Sequence, residues 1–519
     1  MRGRLLLREE GGRGVALGTS KPSVALVYPN AYEVGMANFG FQQVFRLLND
    51  LGLRTERAFY DGTPVLSLES GLPLGAFEIV AFSLPFEGDL PNLVSALKES
   101  GIEPLSSLRE RPLVVVGGMC ALLNPEPISP FAEVVVVGEA EAVLPKFVTV
   151  LGETWGRPKH ELLEALSGLQ GVYVPGISKE VSRVWAEVRE VEPISPIVPA
   201  RSAFGRMVLA EVGRGCGRGC RFCAAGFVYR PVRMRSVMEI LDALNGYPTP
   251  TKRVGLVGAA VSDHPELEEI CAKLVERGWK LATSSFRADM TSSDLVEALV
   301  RGGVRTLTLA PEVGTERLRR AIRKGLSEED LLKASRTAGR KGIKRLKLYA
   351  MIGLPSEGEE DVKALAELVR EMALEFRSEG GKEVGLTVQP FVPKPATPFQ
   401  WAPMADERTL KQRVRILKEH LSGASICRVE VRGALLQGSV SLGDRRVGMA
   451  VYHHVVEGLS WREAWRKVGW DPTSLHRERK DPLPWDFVRH TTDVDFLRRE
   501  WEETFRDGTW GGHARRPGL

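Results

Sequence analysis

Three cysteines in a short glycine-rich stretch constrain this chain more than any other feature. Cys216, Cys220 and Cys223 have the spacing C-x3-C-x2-C, and glycines alternate with other residues through positions 213–219. Glycine permits the tight turns that direct closely spaced thiolates toward one inorganic centre. Three cysteines leave one iron of a four-iron cluster open to an outside ligand, whereas a closed electron-transfer cluster takes four. The spacing therefore predicts an iron–sulfur cluster with chemistry at its open iron.

A zinc site is the alternative interpretation of these cysteines. Structural zinc normally takes four ligands, and neither His264 nor Cys271 has a finger-like spacing to the motif. The pattern therefore favours a cluster over zinc. Six cysteines with three in one motif do not make a disulfide framework. We expect Cys120, Cys271 and Cys427 to be buried small apolar residues.

The motif, with Phe222 between its last two cysteines, resembles the radical S-adenosylmethionine (SAM) superfamily, in which it directly follows a strand. The resemblance implies that Cys216, Cys220 and Cys223 bind a [4Fe–4S] cluster whose open iron is chelated by SAM. It implies that Phe222 backs the adenine of SAM. The implied reaction is reductive cleavage of SAM to methionine and a 5′-deoxyadenosyl radical, which abstracts hydrogen from inert C–H bonds.

Strands and helices are predicted to alternate from residue 207 to about 395, as in a parallel barrel. The candidate strands are Met207–Val212, Arg253–Val257, Lys280–Ser284, Thr306–Leu309, Arg345–Met351 and Val384–Val388. Six such units fit the partial (β/α)6 barrel of the radical SAM fold. Functional residues of barrels collect at the carboxyl ends of the strands, so each strand end is a candidate SAM contact.

The segments that follow these strands resemble SAM-binding segments of the superfamily. Gly258 begins a small-residue turn that would face the methionine amine of SAM, although the usual Gly-Gly-Glu is absent. Ser285 and Arg287 match residues that hold the carboxylate and ribose, and the planar fork of arginine suits a carboxylate. Glu312 matches a SAM-contacting glutamate. Gly353 lies in a segment that resembles the one along the adenine.

Residues 1–150 are predicted to form a doubly wound α/β domain. Continuous apolar runs are typical of parallel strands buried on both faces, and ligands of such sheets bind beyond the carboxyl ends of the strands. The predicted strands are Val24–Pro29, Glu78–Leu84, Leu113–Gly118 and Val134–Glu139, and the predicted helices between them are Phe39–Leu51 and Leu90–Ser100.

Three strand-end segments of this domain resemble the cobalamin-binding-type domain that precedes the cluster motif in many radical SAM proteins. They are Pro29–Met36, Gly117–Pro127 and Val137–Glu141. Domains that ligate cobalt through histidine carry D-x-H-x-x-G after the first strand, whereas this chain has no histidine before His160. We therefore predict no histidine-ligated cobalamin, and whether cobalamin is bound at all stays open.

The remaining domain boundaries are predicted from a proline-rich stretch and from a second family resemblance. Residues 151–205 are predicted to be a linker region, because a proline-rich run cannot serve a central strand. The barrel is assigned to 206–400 and a mainly helical C-terminal domain to 401–519, with a disordered tail at 511–519. The segment Pro390–Trp401, which contains Lys394 and Thr397 as candidates to face substrate, resembles the uncharacterised YgiQ-related radical SAM family.

Composition and charge bear on partners and location. The net charge of +5 over 519 residues is weak evidence for nucleic acid, but eight arginines accompany one acid between Arg201 and Arg235. Such a basic rim predicts attraction of the SAM carboxylate or of a polyanion such as RNA. No apolar run approaches the ~18 residues that span a bilayer, and no signal peptide is evident. We expect a cytoplasmic protein without membrane insertion.

Three functions remain open from the sequence. The first, which we favour, is a radical SAM enzyme that uses SAM alone on an unknown substrate, RNA or protein, with an electron donor of flavodoxin or ferredoxin type. The second is a cobalamin-dependent radical SAM methyltransferase acting at an unactivated carbon. The third is a non-catalytic iron–sulfur or zinc protein that binds nucleic acid through the basic rim.

Overall fold

The computed structural model describes residues 2–62, 64–429, 431 and 433–506. The predictions for residues 511–519 and for the side chain of Cys427 lie outside this part of the chain. Cys120 and Cys271 are buried, as expected. None of the helices within the described ranges combines the length and apolar character that crossing a membrane requires.

The first sheet contains six strands. In chain order the strands up to residue 173 are β1 (Gly11–Gly12), β2 (Ser20–Tyr28), β3 (Leu53–Phe59), β4 (Ile79–Ser83), β5 (Leu113–Gly117), β6 (Val134–Val136) and β7 (Val172–Tyr173). The sheet has the order β3-β2-β4-β5-β6-β7, in which all pairs are parallel except the last. This arrangement agrees with the predicted doubly wound domain.

Helices cover both faces of this sheet. They are α1 (Arg2–Glu9), α2 (Tyr32–Gly35), α3 (Phe39–Asp50), α4 (Leu90–Glu99), α5 (Met119–Leu123), α6 (Ala140–Thr154) and α7 (Lys159–Ser167). Because side chains alternate along a strand, Val24 packs with α3 and α6 on one face. Its neighbour Ala25 packs with α4 on the other face.

The stretch predicted as a linker contains regular structure. Helix α6 runs across residue 150, and β7 adds to the first sheet. Two short strands follow, β8 (Val181–Ser182) and β9 (Ile197–Val198). Strand β9 pairs with β1 in a two-stranded ribbon, where flanking prolines need not supply the hydrogen bonds of a central strand. The division of the chain at residues 150, 205 and 400 stays a prediction.

The barrel is built from two parallel sheets. The strands of this part are β10 (Val208–Glu211), β11 (Gly213–Arg214), β12 (Arg233–Met234), β13 (Arg253–Val257), β14 (Lys280–Thr283), β15 (Thr306–Glu312), β16 (Arg345–Ile352), β17 (Glu383–Pro390) and β18 (Ser425–Val429). The sheets are β10-β13-β14 and β15-β16-β17-β18. A parallel bridge between Phe286 and Leu309 connects them.

All six predicted barrel strands are present, and β18 is an additional strand at the edge. The sequence signal for β18 is weak because its five residues stand alone between helices. The helices of the barrel are α8 (Val237–Leu244), α9 (Leu267–Glu276), α10 (Ser293–Arg301), α11 (Glu316–Ala321), α12 (Glu328–Arg340), α13 (Glu359–Ser378) and α14 (Glu407–His420). They bury the apolar side chains of the barrel core.

The C-terminal part is mainly helical and packs on the first domain and on the barrel. It contains α15 (Ala434–Leu442), α16 (Arg445–Val455), α17 (Trp461–Lys467), β19 (Val488–Arg489) and α18 (Val494–Arg506). Val447 of α16 and Ala396 of the barrel-closing segment belong to the same core cluster as Ala25 of the first sheet. The parts of the chain therefore share apolar cores.

Helix α13 approaches the loop after β15 so closely that only glycine fits there. A Cβ at Gly314 would overlap the backbone nitrogen of Leu365 and lie 2.6 Å from the carbonyl oxygen of Asp361. We expect Gly314→Ala to destabilise the protein by about 3 kcal/mol through overpacking, which a lower midpoint of thermal unfolding would report. Gly152→Ala in α6 is the matched control. A Cβ there meets nothing within 4 Å, and alanine stabilises a helix interior by about 0.5–1 kcal/mol. Equal midpoints for the two variants would contradict this packing.

Candidate cluster and cofactor site

The three motif cysteines lie on one loop between β11 and a short turn at Ala224–Gly226. The amide of Cys223 donates to the carbonyl oxygen of Cys220 at 3.0 Å, and the amide of Arg218 points to the sulfur of Cys216 at 3.4 Å. Gly215 has a φ of +82°, and a Cβ there would lie 3.1 Å from the carbonyl oxygen of Pro231. The glycines therefore allow the loop to fold tightly between neighbouring strands.

The cysteine thiols are free and half-buried. Burial raises the pKa of all three thiols, to about 11 for Cys220, where the positive charge of Lys324 opposes the effect. Binding to a metal must therefore displace their protons. Within the described ranges, no three His, Cys, Asp or Glu side chains gather around a single-ion position.

Two arginines of the loop tie it to its surroundings. Arg221 is buried and donates to Glu500 of α18 at 3.1 Å and to the carbonyl oxygen of Ala321 at 3.1 Å. Arg218 donates through two nitrogens to Asp263, each at 3.0 Å. Asp263 lies in the turn after β13. The loop is thus anchored to the barrel and to the C-terminal helix.

A buried ion-pair network joins the loop to the first domain. Glu139, just before α6, accepts from Arg214 at 3.0 Å, from Arg233 at 2.6 Å and from Arg183 at 2.9 Å. Arg214 also binds Glu141 at 2.6 Å and Glu211 at 2.7 Å. Burial raises the pKa of Glu139, but hydrogen bonds and charge from Arg233 and Arg214 outweigh it, so the pKa is lowered. Glu139 is therefore held as a carboxylate.

This pairing corrects the prediction of a basic rim. Five of the eight arginines between positions 201 and 235 bind carboxylates of the same chain. They are Arg214, Arg218, Arg221, Arg233 and Arg235. The sequence shows one acid in this stretch because the other partners come from distant segments, such as Glu139 and Glu500. The charges of these five arginines are therefore largely neutralised within the chain.

The predicted SAM contacts lie at the carboxyl ends of the barrel strands. Gly258 and Ser285 are exposed there, after β13 and β14. Glu312 ends β15 at a register shift and has a φ of +66°, an uncommon conformation that often marks functional sites. Its carboxylate binds Lys324 at 2.7 Å. Lys324 is not predictable from the sequence, because no local pattern connects it to Glu312.

The donors of Arg287 already have partners within the chain. The guanidinium binds both oxygens of Asp289 at 3.0 Å and donates to the carbonyl oxygens of Lys324 and Gly325 at 2.8 and 3.0 Å. In this arrangement Arg287 braces the loop that carries Lys324. Its contact with the carboxylate of SAM stays a prediction.

The segment after β16 turns at Gly353, which has a φ of +82°. A Cβ at this position would lie 2.6 Å from the side chain of Leu410, so glycine is required. The amide of Gly353 donates to Glu357 at 2.9 Å. Burial raises the pKa of Glu357 to about 7, although the Gly353 amide and Arg413 oppose the effect.

Phe222 and the candidate substrate residues lie in different surroundings. Phe222 is half-buried against an apolar cluster that includes Phe399 and Trp401. Lys394 is bound to the buried Glu87 of the first domain. Thr397 is buried and donates to the carbonyl oxygen of Lys394 at 2.7 Å. Lys394 thus connects the barrel-closing segment to the first domain, whereas the hydrogen bond of Thr397 stays within that segment.

A cavity of about 370 Å³ opens next to the cluster loop. Its mouth is lined by Asn38, Glu141, Arg214, Tyr229 and Gly258, and it extends inside the first domain between the sheet and helices α3 and α6. Protein interiors are normally close-packed, so a cleft of this size with a largely apolar lining is a candidate ligand site. The sequence predicted the sheet edge but not the cavity inside.

The ion-pair network generates a stability prediction. Glu139→Gln removes the carboxylate that the buried guanidinium groups of Arg183 and Arg233 share, and uncompensated buried charge costs about 3–5 kcal/mol. We expect a clear fall in the midpoint of thermal unfolding. Glu180→Gln is the control, because Glu180 forms an exposed pair with Arg489 at 3.4 Å, and such pairs contribute less than about 1 kcal/mol. An equal effect of both substitutions would contradict the network.

Glu357 generates a prediction about pH. Its pKa is about 7 in the folded chain against an ordinary value of 4.5, so the fold favours the protonated form. Wild-type stability should fall as pH rises from about 4.5 to 7, by at most about 3 kcal/mol, and level off above pH 7. In Glu357→Gln the free energy of unfolding should no longer fall between pH 4.5 and 7. The variant should therefore have a higher midpoint of thermal unfolding than wild type at pH 8, but not at pH 4.5. The exposed Glu360→Gln is the control, and a variant whose pH profile matches wild type would refute the role.

Comparisons with known proteins agree with this architecture. The family model for radical SAM proteins, N-terminal, matches residues 40–175, and the model for the radical SAM superfamily matches residues 210–369. An uncharacterised protein of Methanocaldococcus jannaschii is 30% identical over 386 residues, which are 73% of this chain and 79% of the relative.

Two further proteins are similar at lower identity. An uncharacterised methyltransferase of Pyrococcus horikoshii is 22% identical over 283 residues, 52% of this chain and 60% of the relative. The radical SAM methyltransferase TsrM of Kitasatospora setae, solved with cobalamin and a [4Fe–4S] cluster bound, has a TM-score of 0.53 at 15% identity. That likeness covers 94% of this chain and 99% of TsrM, and it shows a shared fold. Together, the two family models and the relative from Methanocaldococcus jannaschii show that this chain belongs to the radical SAM superfamily.

Proposed function

We propose that this enzyme is a cobalamin-dependent radical SAM methyltransferase that acts at an unactivated carbon. The cavity carries this proposal, because it begins at the cluster loop and ends inside the first domain. An open cavity within an otherwise packed domain core is expected only where a ligand fills it. This preference reverses the order of the first two functions that the sequence left open.

The residues of the cavity fit a corrinoid held without a protein ligand to cobalt. The loop that follows β2 brings Asn38, Phe39 and Gly40 to the mouth, and none of them is a histidine. The side-chain oxygen of Asn38 accepts from the amide of Phe41 at 2.9 Å and caps α3. Phe39 offers an apolar ring at the mouth. A corrinoid supplies a methyl carrier when it is bound.

The motif loop fits a [4Fe–4S] cluster. Cys216, Cys220 and Cys223 would hold it, because one tight loop carries these three half-buried thiols and no fourth ligand has a comparable spacing. Within this site a reduced cluster supplies one electron that cleaves SAM. Burial raises the pKa of the Cys220 thiol to about 11 despite the positive charges of Lys324 and Arg287, so the thiolate would form as the metal binds.

Other residues of this chain hold the loop and the SAM segments in place. Two ion pairs hold the motif loop in place. Arg218, between the first two cysteines, binds Asp263, and Arg221, between the last two, binds Glu500. The pair Lys324–Glu312 places one cation and one carboxylate beside it. We propose that Gly258, Ser285, Glu312 and Gly353 contact SAM, with Phe222 against the adenine. Arg287 would reach SAM only by exchanging some of its present partners.

The comparisons support the proposal at the level of fold and reaction class. TsrM is a radical SAM methyltransferase that was solved with cobalamin bound, and the relative from Pyrococcus horikoshii is named a methyltransferase. We further propose a cytoplasmic enzyme with an electron donor of flavodoxin or ferredoxin type and an RNA or protein substrate. The nucleic-acid-binding alternative loses support, because five of the eight arginines on which it relied are paired with carboxylates of the same chain.

The test uses full-length protein reconstituted anaerobically with iron, sulfide and cobalamin. We expect cobalamin to remain bound in about a 1:1 ratio after gel filtration, and a strong reductant with SAM to yield 5′-deoxyadenosine. Cys220→Ala should lose the cluster and SAM cleavage but keep cobalamin. Cys271→Ala, in the barrel core on α9, should keep all three properties.

Each result that departs from these expectations would contradict a different part of the proposal. A protein that forms the cluster and cleaves SAM but releases cobalamin would be an enzyme that uses SAM alone. A Cys220→Ala variant that still cleaves SAM would remove the assignment of the cluster ligands. A wild-type cluster that never cleaves SAM would favour a binding protein.

A further inference from the structure

We infer that Lys347 and Tyr349 form a carboxylate-binding site inside the barrel, which anchors the substrate below the SAM segments. This inference rests on the proposed function and deepens it, because it names a chemical group that the substrate carries. It depends on the open inner face of two barrel strands, on a lysine there without a counter-ion and on the hydrogen-bond donors around that lysine.

The barrel interior is open along β15 and β16. The interior of a parallel barrel is normally filled by layers of packed side chains. Leu307 and Leu309 of β15, like Leu346 and Leu348 of β16, are buried beneath the surrounding helices. Because side chains alternate along a strand, the residues between these leucines face the interior, where they are only half-buried. The barrel therefore encloses space that a ligand can enter.

Three polar side chains lie on this inner face. Thr308 of β15 is directly beside Lys347 of β16, and Tyr349 is the next inward residue toward the carboxyl end. The ammonium of Lys347 lies 4.9 Å from the centroid of the Tyr349 ring, which is close enough for a cation–π contact. Lys347 is therefore held inside the barrel beside this ring.

Lys347 differs from its charged neighbours because its charge is not balanced. Arg345, two residues earlier, binds Glu383 at the amino end of the barrel, and Glu312 at the carboxyl end binds Lys324. Among the residues that the structure describes, no carboxylate pairs with the Lys347 ammonium and no hydrogen-bond acceptor contacts it. A cation without a partner in a partly enclosed space attracts an anion, because screening there is weaker than in bulk water.

The donors at this site match a carboxylate better than a phosphate. Lys347 supplies one positive charge. The hydroxyls of Thr308 and Tyr349 have no hydrogen-bond partner within the described ranges and supply two further donors. A carboxylate carries one negative charge and accepts hydrogen bonds at both oxygens. A phosphate monoester carries about −1.5 to −2 charges at pH 7, so part of its charge would stay uncompensated.

The depth of the site separates it from the predicted SAM contacts. Thr308, beside Lys347, is four residues before Glu312 at the end of β15, and four extended residues span about 13 Å. The anion at Lys347 is therefore a different one from the carboxylate of SAM. A substrate held there extends past Tyr349 and presents its other end to the 5′-deoxyadenosyl radical. This arrangement favours a peptide or a free carboxylic acid over RNA, whose anionic groups are phosphates.

The experiment measures binding of small acids to the anaerobically reconstituted full-length protein by isothermal titration calorimetry. Benzoate is the probe, because it joins a carboxylate to a ring that can pack beside Tyr349. We expect it to bind at least tenfold more tightly than its uncharged counterpart benzamide, and more tightly than phenyl phosphate.

A peptide distinguishes the two sources of the carboxylate. The tripeptide Gly-Gly-Phe should bind more tightly than its C-terminal amide if the site receives a peptide carboxylate. Binding of benzoate without binding of the tripeptide would assign a small free acid. Both results support the carboxylate site.

Three variants locate the effect at the lysine and its ring. Lys347→Met removes the charge and should weaken benzoate binding at least tenfold, whereas Lys347→Arg should retain most of it. Tyr349→Phe removes one donor and should weaken binding several-fold, which keeps the inference testable if Lys347→Met does not fold. Lys344→Met is the control, because Lys344 is exposed just before β16 and its loss should leave benzoate binding unchanged.

The outcomes separate this inference from the proposed function. Equal binding of benzoate and benzamide, tighter binding of phenyl phosphate, or unchanged benzoate binding by Lys347→Met would each overturn the inference. An equal loss of SAM affinity in Lys347→Met would assign the site to SAM and overturn it as well. Cobalamin plays no part in these measurements. A protein that binds benzoate at Lys347 but releases cobalamin would refute the proposed function and leave the carboxylate site in place.

Discussion

The carboxylate of Glu139 is the interaction on which the arrangement of this molecule depends. Three guanidinium groups from separate segments meet it: Arg183 after β8, Arg214 in β11 and Arg233 in β12. Buried charges are tolerated only when they are paired and hydrogen-bonded. A shift of the first domain relative to the cluster loop would separate these partners, so the network specifies one relative position of the two parts.

That position creates the candidate site. Arg214 stands two residues before Cys216, and Glu139 and Glu141 begin the helix that covers the cavity. The same contacts therefore hold the cluster loop and the mouth of the cavity side by side. On the opposite side of the loop, Arg221 and Glu500 connect the motif to the C-terminal helix. The loop is thus clamped between the first domain, the barrel and the last helix, which together limit the access of water to the thiols.

Several features of the fold were predictable because their signals are local. Continuous apolar runs such as Leu113–Gly118 indicated buried parallel strands, and the structure confirms this one as β5 (Leu113–Gly117). Strand β18 was missed because its sequence, Ser-Ile-Cys-Arg-Val, has no continuous apolar run. Arg287 shows which property of a site residue the sequence does not predict. Its position at a strand end was predictable, but its occupation by Asp289 and the carbonyl oxygens of Lys324 and Gly325 was not.

The sequence by itself determined the cysteine motif, the strand and helix order and therefore the membership in the radical SAM superfamily, because these depend on spacing within short segments. Only the tertiary structure decided which charges are free and where space remains. Glu139 and Arg214 are 75 residues apart, and Arg221 and Glu500 are 279 apart. Pairing over such separations and the cavity between β4, α3 and α6 depend on how complete elements pack, which local sequence patterns do not encode.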